Sequence, residues 1–409
     1  MKVLFVVQRY GERVAGGAEA LARMFAERLV PRGHQVAVLT TCATDYRTWA
    51  DDGPPGTTVE AGVSVHRLHV PRPRDPARFA SVSARVFSPA RRPCAAVEQA
   101  WMAEQGPVPE AYESRLRGLA LDHDLVVFMT YLYATTTLGV PVVAGLRPTV
   151  LYPTAHDEVP FRLPLVRGNV DRVTGIACST VEESDLVALR FRPVAPRRVI
   201  GIGFDPPPVG DAGRFRARFG LGDDPYVLVL GRVDPNKGSD EAISHVLRYR
   251  TDRNSPVRLV LMGMAAMDVP DDPGVTVTGF VDDGTRWDAL DGAAALLQPS
   301  YQESFSMALA EAWQAGRPAV VQGRCAVLDG LARRAGAALP YRSYAEFAAG
   351  LDLLLDPDGP GARLGAAGRA YVADELSWTP VLERFESLLA ASVAEFERRR
   401  AQGRRATSR

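Results

Sequence analysis

The sequence predicts an α/β fold made of two parallel-sheet domains, each covered by helices on both faces. The main observation is an alternation of short apolar runs with patterns of helical spacing, which is the signature of repeated βαβ units. A second observation is the triple proline at 206–208, which interrupts this alternation once. Because consecutive prolines fit neither a helix interior nor a central strand, we interpret Gly203–Gly210 as an interdomain linker. The length of 409 residues accommodates two or three domains at ~150 residues each.

The first half of the chain opens with a continuous apolar run at 3–7, which is typical of a strand buried on both faces. A helix is predicted at 18–30 because Leu21, Phe25 and Leu29 recur at helical spacing before Pro31. Further strands of this half are predicted at 36–39, 63–68, 125–129, 150–152 and 176–178.

The second half repeats this logic after the linker. Its strands are predicted at 227–230, 258–262, 275–278, 294–298 and 319–321. The resulting division is 1–203 and 204–377 for the two domains, 378–397 for a C-terminal helix and 398–409 for a disordered basic tail. Whether the helix at 378–397 crosses back to the first domain stays open at this point. Ligands of such sheets bind beyond the carboxyl ends of the strands, so we expect the site in a cleft faced by both domains.

Composition excludes several classes of function. The net charge is zero, so no field of the whole chain attracts nucleic acid. The four cysteines form no CxxC pair, and no stretch of ~18 apolar residues is present. We therefore expect a cytoplasmic protein.

The segment Arg67–Arg92 carries seven arginines among apolar residues. Two interpretations of it stay open: a basic insertion, or a peripheral contact with the inner face of a membrane.

Lysine usage draws attention to one motif, because only Lys2 and Lys237 are lysines among the 48 basic residues. Lys237 lies in the stretch 230–238, where Gly231 permits close backbone approach. Arg232 lies five residues before Lys237, across a turn, so both cations can converge on one anion. An arginine can grip phosphate oxygens bidentately, and a lysine adds a mobile point charge. The pattern favours a phosphate site over two solvated charges.

The stretch 298–312 carries the sharpest signal. Ser306 can cap a helix at 307–315, and the free N–H groups of its first turn form an anion site. Glu303 precedes this helix, and Glu311 lies about one and a half turns into it. One carboxylate can hold hydroxyls of a sugar and the other hydroxyls of a ribose. Two glutamates alone would also fit a solvated loop and helix.

These residues resemble family 4 of the retaining glycosyltransferases, the glycosyl transferases group 1, which have the GT-B fold. The resemblance rests on Glu303, Phe305, Glu311 and Ala312, and on the segments 231–232 and 237–238. It is clear over 227–322 and a matter of general pattern over the first 200 residues. Ser304 and Ser306 stand where members of the family often have glycine.

The resemblance implies roles for individual residues. The implied catalytic residues are Glu303, Arg232, Lys237 and His156. The implied donor-binding residues are Gly16, Gly17, Gly231, Gly263, Phe280, Ser304, Phe305, Ser306, Met307 and Glu311. His156 fits a structural hydrogen-bonding role about equally well, and the Gly16–Gly17 pair and the Gly263 and Phe280 segments also fit plain turns. Glu19 is interpreted first as a charge at a helix start.

The predicted function is that of a metal-independent, hexosyltransferase-like enzyme that retains the anomeric configuration. Its partners would be a nucleotide diphosphate sugar as co-substrate, with no other cofactor, and a glycan, lipid-linked or small-molecule acceptor. Two alternatives stay open. One is an epimerase or phosphorylase on the same fold, for which Lys237 is the single internal lysine. The other is a non-catalytic protein that binds nucleotide sugars.

Overall fold

A computed structural model describes residues 1–12, 14, 16–88 and 93–407 of the chain. They form two compact units: Met1–Ile200 together with the last helix from Leu382 onward, and Gly201–Val381. Each unit is built on a sheet that is largely or wholly parallel, as the alternating pattern predicts. The prediction of an α/β fold with two sheets is therefore confirmed.

The sheet of the first unit has, among the described residues, the order β3-β4-β2-β1-β5-β6-β7-β8. Its strands are β1 (Lys2–Val6), β2 (Gln35–Thr41), β3 (Gly56–Glu60), β4 (Val63–Leu68), β5 (Leu125–Met129), β6 (Thr149–Tyr152), β7 (Gly175–Cys178) and β8 (Arg197–Val199). The edge strand β3 pairs antiparallel with β4, and the other pairs are parallel. The central strands β5, β6 and β7 are buried along their whole length, so the core lies on both faces of the sheet.

The helices of the first unit cover that sheet. They are α1 (Gly17–Leu29), α2 (Pro76–Val86), α3 (Ala95–Gln105), α4 (Tyr112–Asp122), α5 (Ala134–Val143), α6 (Pro164–Arg172) and α7 (Val181–Phe191), with a short 3-10 turn at Pro160–Arg162. Helix α1 coincides with the predicted helix to within one residue at each end and buries Leu21, Phe25 and Leu29.

The sheet of the second unit is parallel, with the order β11-β10-β9-β12-β13-β14 among the described residues. Its strands are β9 (Tyr226–Leu230), β10 (Arg258–Met262), β11 (Val275–Gly279), β12 (Ala295–Gln298), β13 (Ala319–Gln322) and β14 (Ala338–Tyr341). The strand order reverses between β9 and β12, which pair directly with each other. In such sheets the crevice for a ligand opens beyond the carboxyl ends of these two strands.

The helices of the second unit are α8 (Ala212–Phe219), α9 (Ser239–Arg253), α10 (Asp283–Gly292), α11 (Met307–Gln314), α12 (Ala326–Ala335), α13 (Tyr344–Leu355) and α14 (Gly361–Glu375), with a 3-10 turn at Pro235–Lys237. The proline-rich segment 203–210 packs onto this unit. Gln314 donates a hydrogen bond to the carbonyl of Asp205, and a side chain at Gly210 would overlap the backbone of Trp287. Contacts within the unit therefore hold the segment at Asp205 and Gly210, whereas the residues at 205–209 are exposed.

The last helix, α15 (Trp378–Thr407), is longer than predicted. From Leu382 onward it belongs to the first unit, where Phe385 packs on Phe25 with ring centroids 4.7 Å apart. The expectation of a disordered tail from 398 is wrong for the described residues, because the helix continues to Thr407. Glu395 pairs with Arg398 and Arg399 one turn later, which supports the helix beyond its apolar stripe. Residues 408–409 lie outside the described residues.

The basic segment Arg67–Arg92 is described up to residue 88, and 89–92 lie outside the described residues. Several of its arginines form ion pairs: Arg67 with Glu60, and both Arg72 and Arg78 with Glu104. Its apolar residues Phe79, Val82 and Phe87 pack against the core of the first unit. Both features fit the interpretation as an insertion of this unit. No helix in the described part of the chain is long and apolar enough to cross a membrane.

Candidate active site

Two loops meet where the strand order of the second sheet reverses. One follows β9 and contains Gly231–Gly238, and the other follows β12 and leads to α11. Gly238 has a φ of 73°, and a Cβ there would overlap the carbonyl oxygen of Pro299. Only glycine fits this contact, because it combines a left-handed backbone with no side chain. The close approach fixes the two loops against each other.

A chain of polar contacts links the two loops. The Nζ of Lys237 lies 2.7 Å from Oε1 of Glu303. Gln298, the last residue of β12, donates from Nε2 to Ser306 Oγ at 2.8 Å and to Glu303 Oε1 at 3.4 Å. Glu303 is largely buried, whereas the side chain of Lys237 is 41% exposed. The structure thus brings together Lys237, Glu303 and the first turn of α11.

Ser306 caps α11, as the sequence predicts: its Oγ accepts from the N–H of Leu309 at 3.4 Å. Its φ is 119°, a conformation that a residue with a side chain rarely adopts. The substitution of serine for the family's frequent glycine therefore places strain at the start of the helix. Phe305 is buried and stacks on Phe204 at 6.2 Å, so its ring supports the loop from within.

The strain at Ser306 gives a prediction about stability. We expect Ser306→Gly to be more stable than Ser306→Ala by roughly 1–3 kcal/mol, because both lose the hydroxyl and only glycine relaxes the backbone. Glycine is also preferred over alanine at an N-cap position, so this preference acts in the same direction as the relief of strain. Thermal unfolding of the two variants side by side measures the difference. Equal midpoints would show that the backbone at this position is unstrained.

Arg232 contacts a carboxylate other than that of Glu303. Its Nε lies 3.0 Å from Oδ2 of Asp234, whose other oxygen accepts from the N–H of Asn236 and so caps the 3-10 turn before Gly238. Arg232 and Lys237 are thus paired with different carboxylates, and their convergence on one anion stays a prediction. Both cations are more than a third exposed. The cations are therefore accessible to a diphosphate, whereas their carboxylate partners are largely buried.

The next strand end lies beside this loop. Gly263 follows β10 with a φ of 148°, and a Cβ there would overlap the carbonyl oxygen of Gly231. Gly263 also forms a bridge with Gly279 at the end of β11, and the residue that follows, Phe280, is 77% exposed. The predicted residues of the base-binding side are therefore contiguous with Gly231. Ser304 and Met307 are half-buried beside the cap of α11.

Glu311, one of the two glutamates of the motif, is buried in α11. An Nη of Arg286 on α10 lies 3.6 Å from its Oε1. Burial raises the pKa of Glu311, and the charge of Arg286 opposes this rise. Sequence analysis missed Arg286, because no motif marks an arginine inside an otherwise ordinary helix.

A second missed residue is Glu241, in the first turn of α9. Its carboxylate accepts hydrogen bonds from Tyr301 at 2.5 Å, Gln322 at 2.8 Å and Tyr341 at 2.9 Å. Tyr301 lies two residues before Glu303, so Glu241 anchors the loop that carries the catalytic candidate. The partners lie 60 to 100 residues away along the chain, and no local pattern signals such a cluster.

In the first unit, the Gly16–Gly17 pair opens α1. Gly16 has a φ of 156°, and a Cβ there would overlap the carboxylate of Glu19. Glu19 is buried and pairs with the buried Arg9, at 2.9 Å from its Nε. Glu19 lies in the first turn of α1, as predicted, and it also forms a buried ion pair. Gly17 is exposed, and a Cβ there would meet no neighbouring atom.

His156 follows β6 in the first unit. Its Nδ1 is buried, has no hydrogen-bond partner among the described residues, and lies 3.6 Å from Oε1 of Glu158. The backbone just before it is held by Glu183, a buried residue of α7 that accepts from the N–H groups of Ala155 at 2.6 Å and Ser179 at 2.5 Å. Burial raises the pKa of Glu183 to about 7.

The raised pKa of Glu183 predicts a dependence of stability on pH. The folded protein holds this proton up to a pH near 7, whereas the unfolded chain releases it near 4.5. The free energy of unfolding should therefore decrease as the pH rises from 4.5 to 7, and this group contributes roughly 3 kcal/mol of that decrease. Glu183→Gln should remove that part of the slope, and Glu182→Gln on the neighbouring position serves as the control. Urea unfolding at several pH values tests this, and an unchanged slope in Glu183→Gln would contradict it.

Among the described residues, no group of three or more His, Cys, Asp or Glu side chains is placed to hold a metal ion. Independence of metals stays a prediction.

The second unit is similar to a known family. Residues 224–357 match the family model described as glycosyl transferases group 1. This part of the chain is similar to that family, and we call residues 224–357 the group 1 domain after the match. The group 1 domain contains both loops of the switch point, with Arg232, Lys237, Glu303 and Glu311.

Curated relatives of the chain are also named as glycosyltransferases. A D-inositol 3-phosphate glycosyltransferase of Frankia alni is 29% identical over 255 residues, which is 56% of this chain and 56% of the relative. One of Segniliparus rotundus is 32% identical over 204 residues, 42% of this chain and 43% of the relative. The chain thus spans about half the length of the curated relatives it matches.

Solved structures show that the group 1 domain belongs to a GT-B fold. The sucrose-phosphate synthase of Thermosynechococcus elongatus superposes with a TM-score of 0.67 at 17% identity, over 95% of this chain and 99% of that chain. HepE of Anabaena in complex with UDP-glucose gives a TM-score of 0.67 at 15% identity, over 95% and 100% of the two chains. At this level of identity the likeness concerns the fold alone.

Proposed function

We propose that the chain is a glycosyltransferase that moves a sugar from a nucleotide diphosphate sugar to an acceptor with retention at the anomeric carbon. The observation that carries this proposal is the contact of Lys237 with Glu303 beside the capped start of α11. It gathers a cation, a carboxylate and free helix N–H groups at a strand-order switch point. The curated relatives and the UDP-glucose complex of HepE support the donor class.

In the proposed reaction the acceptor oxygen forms a bond to the anomeric carbon while the bond from that carbon to the phosphate oxygen breaks. Lys237, Arg232 and the N–H groups at Ser306 stabilise the charge that develops on the departing diphosphate. The leaving phosphate oxygen takes the acceptor proton on the same face of the sugar. Glu303 would hold hydroxyls of the transferred sugar. Acceptor binding is assigned to the first unit, and His156 to the neighbourhood of the reacting sugar.

A thermal-shift screen over UDP-, GDP-, ADP- and TDP-sugars tests the donor. A true donor at 100 times its Kd should add about 2.7 kcal/mol of stability. Product NMR with the selected donor then reports the anomer, and an inverted product would contradict retention. The acceptor panel should include phosphorylated polyols, because the curated relatives are named for inositol 3-phosphate. Turnover unchanged by EDTA would support independence of metals, and its loss would refute it.

The same assay separates the alternatives. An epimerase would change the donor sugar without an acceptor, a phosphorylase would require inorganic phosphate, and a binding protein would be stabilised by a donor that it never consumes. The proposal also includes a cytoplasmic location. Peripheral membrane contact through Arg67–Arg92 is the weaker part of it, because two carboxylates, Glu60 and Glu104, already pair with three arginines of that segment. Co-sedimentation with vesicles of anionic lipid tests this contact.

A further inference from the structure

The proline-rich segment 204–210 forms one wall of a cavity of about 570 Å³ within the second unit. The segment is held at both ends, by the hydrogen bond from Gln314 to the carbonyl of Asp205 and by the close packing of Gly210 on Trp287. The three prolines between these ends are exposed. Because each proline ring fixes φ at about −65°, this wall is stiff and keeps its shape with little help from the core.

The other walls of the cavity come from α10, the end of α11, and α14. Trp287 of α10 and Val372 of α14 are both buried in the unit and line the cavity. Ala315 and Ala373 add small apolar side chains to the lining. A concave space of several hundred Å³ that is lined mainly by apolar groups, with a few polar ones, has the properties of a small-molecule site.

The polar groups of the lining differ in whether they already have a partner of opposite charge. Asp291 lies 3.2 Å from an Nη of Arg317, so its charge is compensated within the unit. Arg369 is exposed, and it donates a hydrogen bond to the carbonyl of Ala315 at 3.2 Å. Within the part of the chain that the structure describes, no carboxylate lies at ion-pair distance from Arg369. The charge that the cavity offers to a ligand is therefore positive.

The cavity is separate from the candidate active site. Helix α11 starts after the Ser306 cap, and its eight residues end at Gln314, which lines the cavity. At 1.5 Å per residue, the cap and the cavity are about 12 Å apart along the helix axis. None of the described residues of the loops 231–238 and 298–306 lines the cavity. A ligand can therefore bind here without occupying the position proposed for the diphosphate.

We propose that this cavity is a second ligand site of the second unit, and that it takes a carboxylic acid with an apolar body. The apolar body packs against Trp287, Val372 and the proline wall, where it is removed from water. The carboxylate pairs with the guanidinium of Arg369, which can bind both of its oxygens. The inference does not depend on the proposed transferase function, because it uses neither the donor motif nor the acceptor.

Isothermal titration calorimetry of the full chain with octanoate, 1-octanol and acetate tests this site, because the three probes separate the apolar body from the charge. Octanoate should bind with one molecule per chain, and acetate should show no detectable binding. Arg369→Gln should weaken the binding of octanoate about fivefold, as the loss of one exposed ion pair implies, and should leave 1-octanol unaffected. Arg363→Gln is the matched control, since Arg363 is an exposed arginine of the same helix outside the cavity.

A second variant tests the location. Ala373→Trp places a large side chain in the cavity and should abolish the binding of octanoate and 1-octanol, with thermal unfolding as the check that the variant folds. If it does not fold, the smaller Ala373→Leu should lower both affinities. Lys237→Ala should bind octanoate as the wild-type protein does. The proposal would be overturned by a wild-type protein that does not bind octanoate, by binding that persists in Ala373→Trp, or by binding that is lost in Lys237→Ala.

Discussion

Replacing Lys237 with alanine is expected to lower kcat by about 10²–10³-fold, the range found when one preorganised group that stabilises developing charge is removed. In the proposed mechanism Lys237 contributes mainly to the transition state, where the diphosphate gains charge, so KM for the donor should change much less than kcat. Steady-state kinetics with the donor selected by the stability screen measure both constants. Circular dichroism and thermal unfolding establish that the fold persists.

The chain supplies a matched control for this substitution. Lys2 is the other lysine, and it lies in the first unit at the exposed beginning of β1. Lys2→Ala should leave kcat and KM unchanged, which separates the position of Lys237 from lysine loss in general. An unchanged kcat in Lys237→Ala would remove this residue from the site and leave the proposed mechanism without its central cation.

The architecture of both sheets follows from the sequence because strands buried on two faces leave an unmistakable apolar run. Strands such as β1 and β9 are buried over nearly their whole length and were predicted within one or two residues. The edge strands β3, β8 and β14 were missed, the first two for the opposite reason. β3 is exposed along most of its length and β8 begins with two arginines, so neither carries an apolar signal.

Only those residues of the candidate site that belong to a sequence motif were predictable. Lys237, Glu303 and Ser306 stand out by residue type and spacing, but their connection through Gln298 does not, since a glutamine at the end of a strand is chemically inconspicuous. Arg286 was missed because it acts across two helices. Pairings of this kind, here between side chains of α10 and α11, depend on the tertiary structure, and single-sequence patterns carry no information about it.

At Ser306 the sequence gives the residue type, and the structure gives its consequence for the backbone. The sequence showed a serine where the resembled family often has glycine, and the structure shows the consequence as a φ of 119°. Gln298 donates to the hydroxyl of Ser306 and thereby gives the serine a function that glycine lacks. The preference for glycine at a positive φ is therefore not followed at Ser306. Its hydroxyl shares the donor Gln298 with the catalytic candidate Glu303.

Glu303→Gln is expected to lower kcat by about 10²-fold, because the neutral amide keeps the shape of the side chain and loses its charge. The substitution also removes the anionic partner of Lys237, whose Nζ lies 2.7 Å from the carboxylate. The double variant Lys237→Ala with Glu303→Gln should therefore lose less activity than the product of the two single losses. Groups that act as one unit are non-additive in this way.

The control is Glu113→Gln, an exposed glutamate in the first turn of α4 in the first unit. It should leave kinetics unchanged. Losses that multiply independently in the double variant would mean that Lys237 and Glu303 serve separate steps, and the contact between them would then be a feature of the protein without bound donor. A full kcat in Glu303→Gln would exclude its carboxylate from the reaction altogether.

Gln298 donates to the same oxygen of Glu303 as Lys237 does. The kcat of Gln298→Ala should therefore lie between those of the wild-type protein and Glu303→Gln, because the carboxylate is kept but is less ordered.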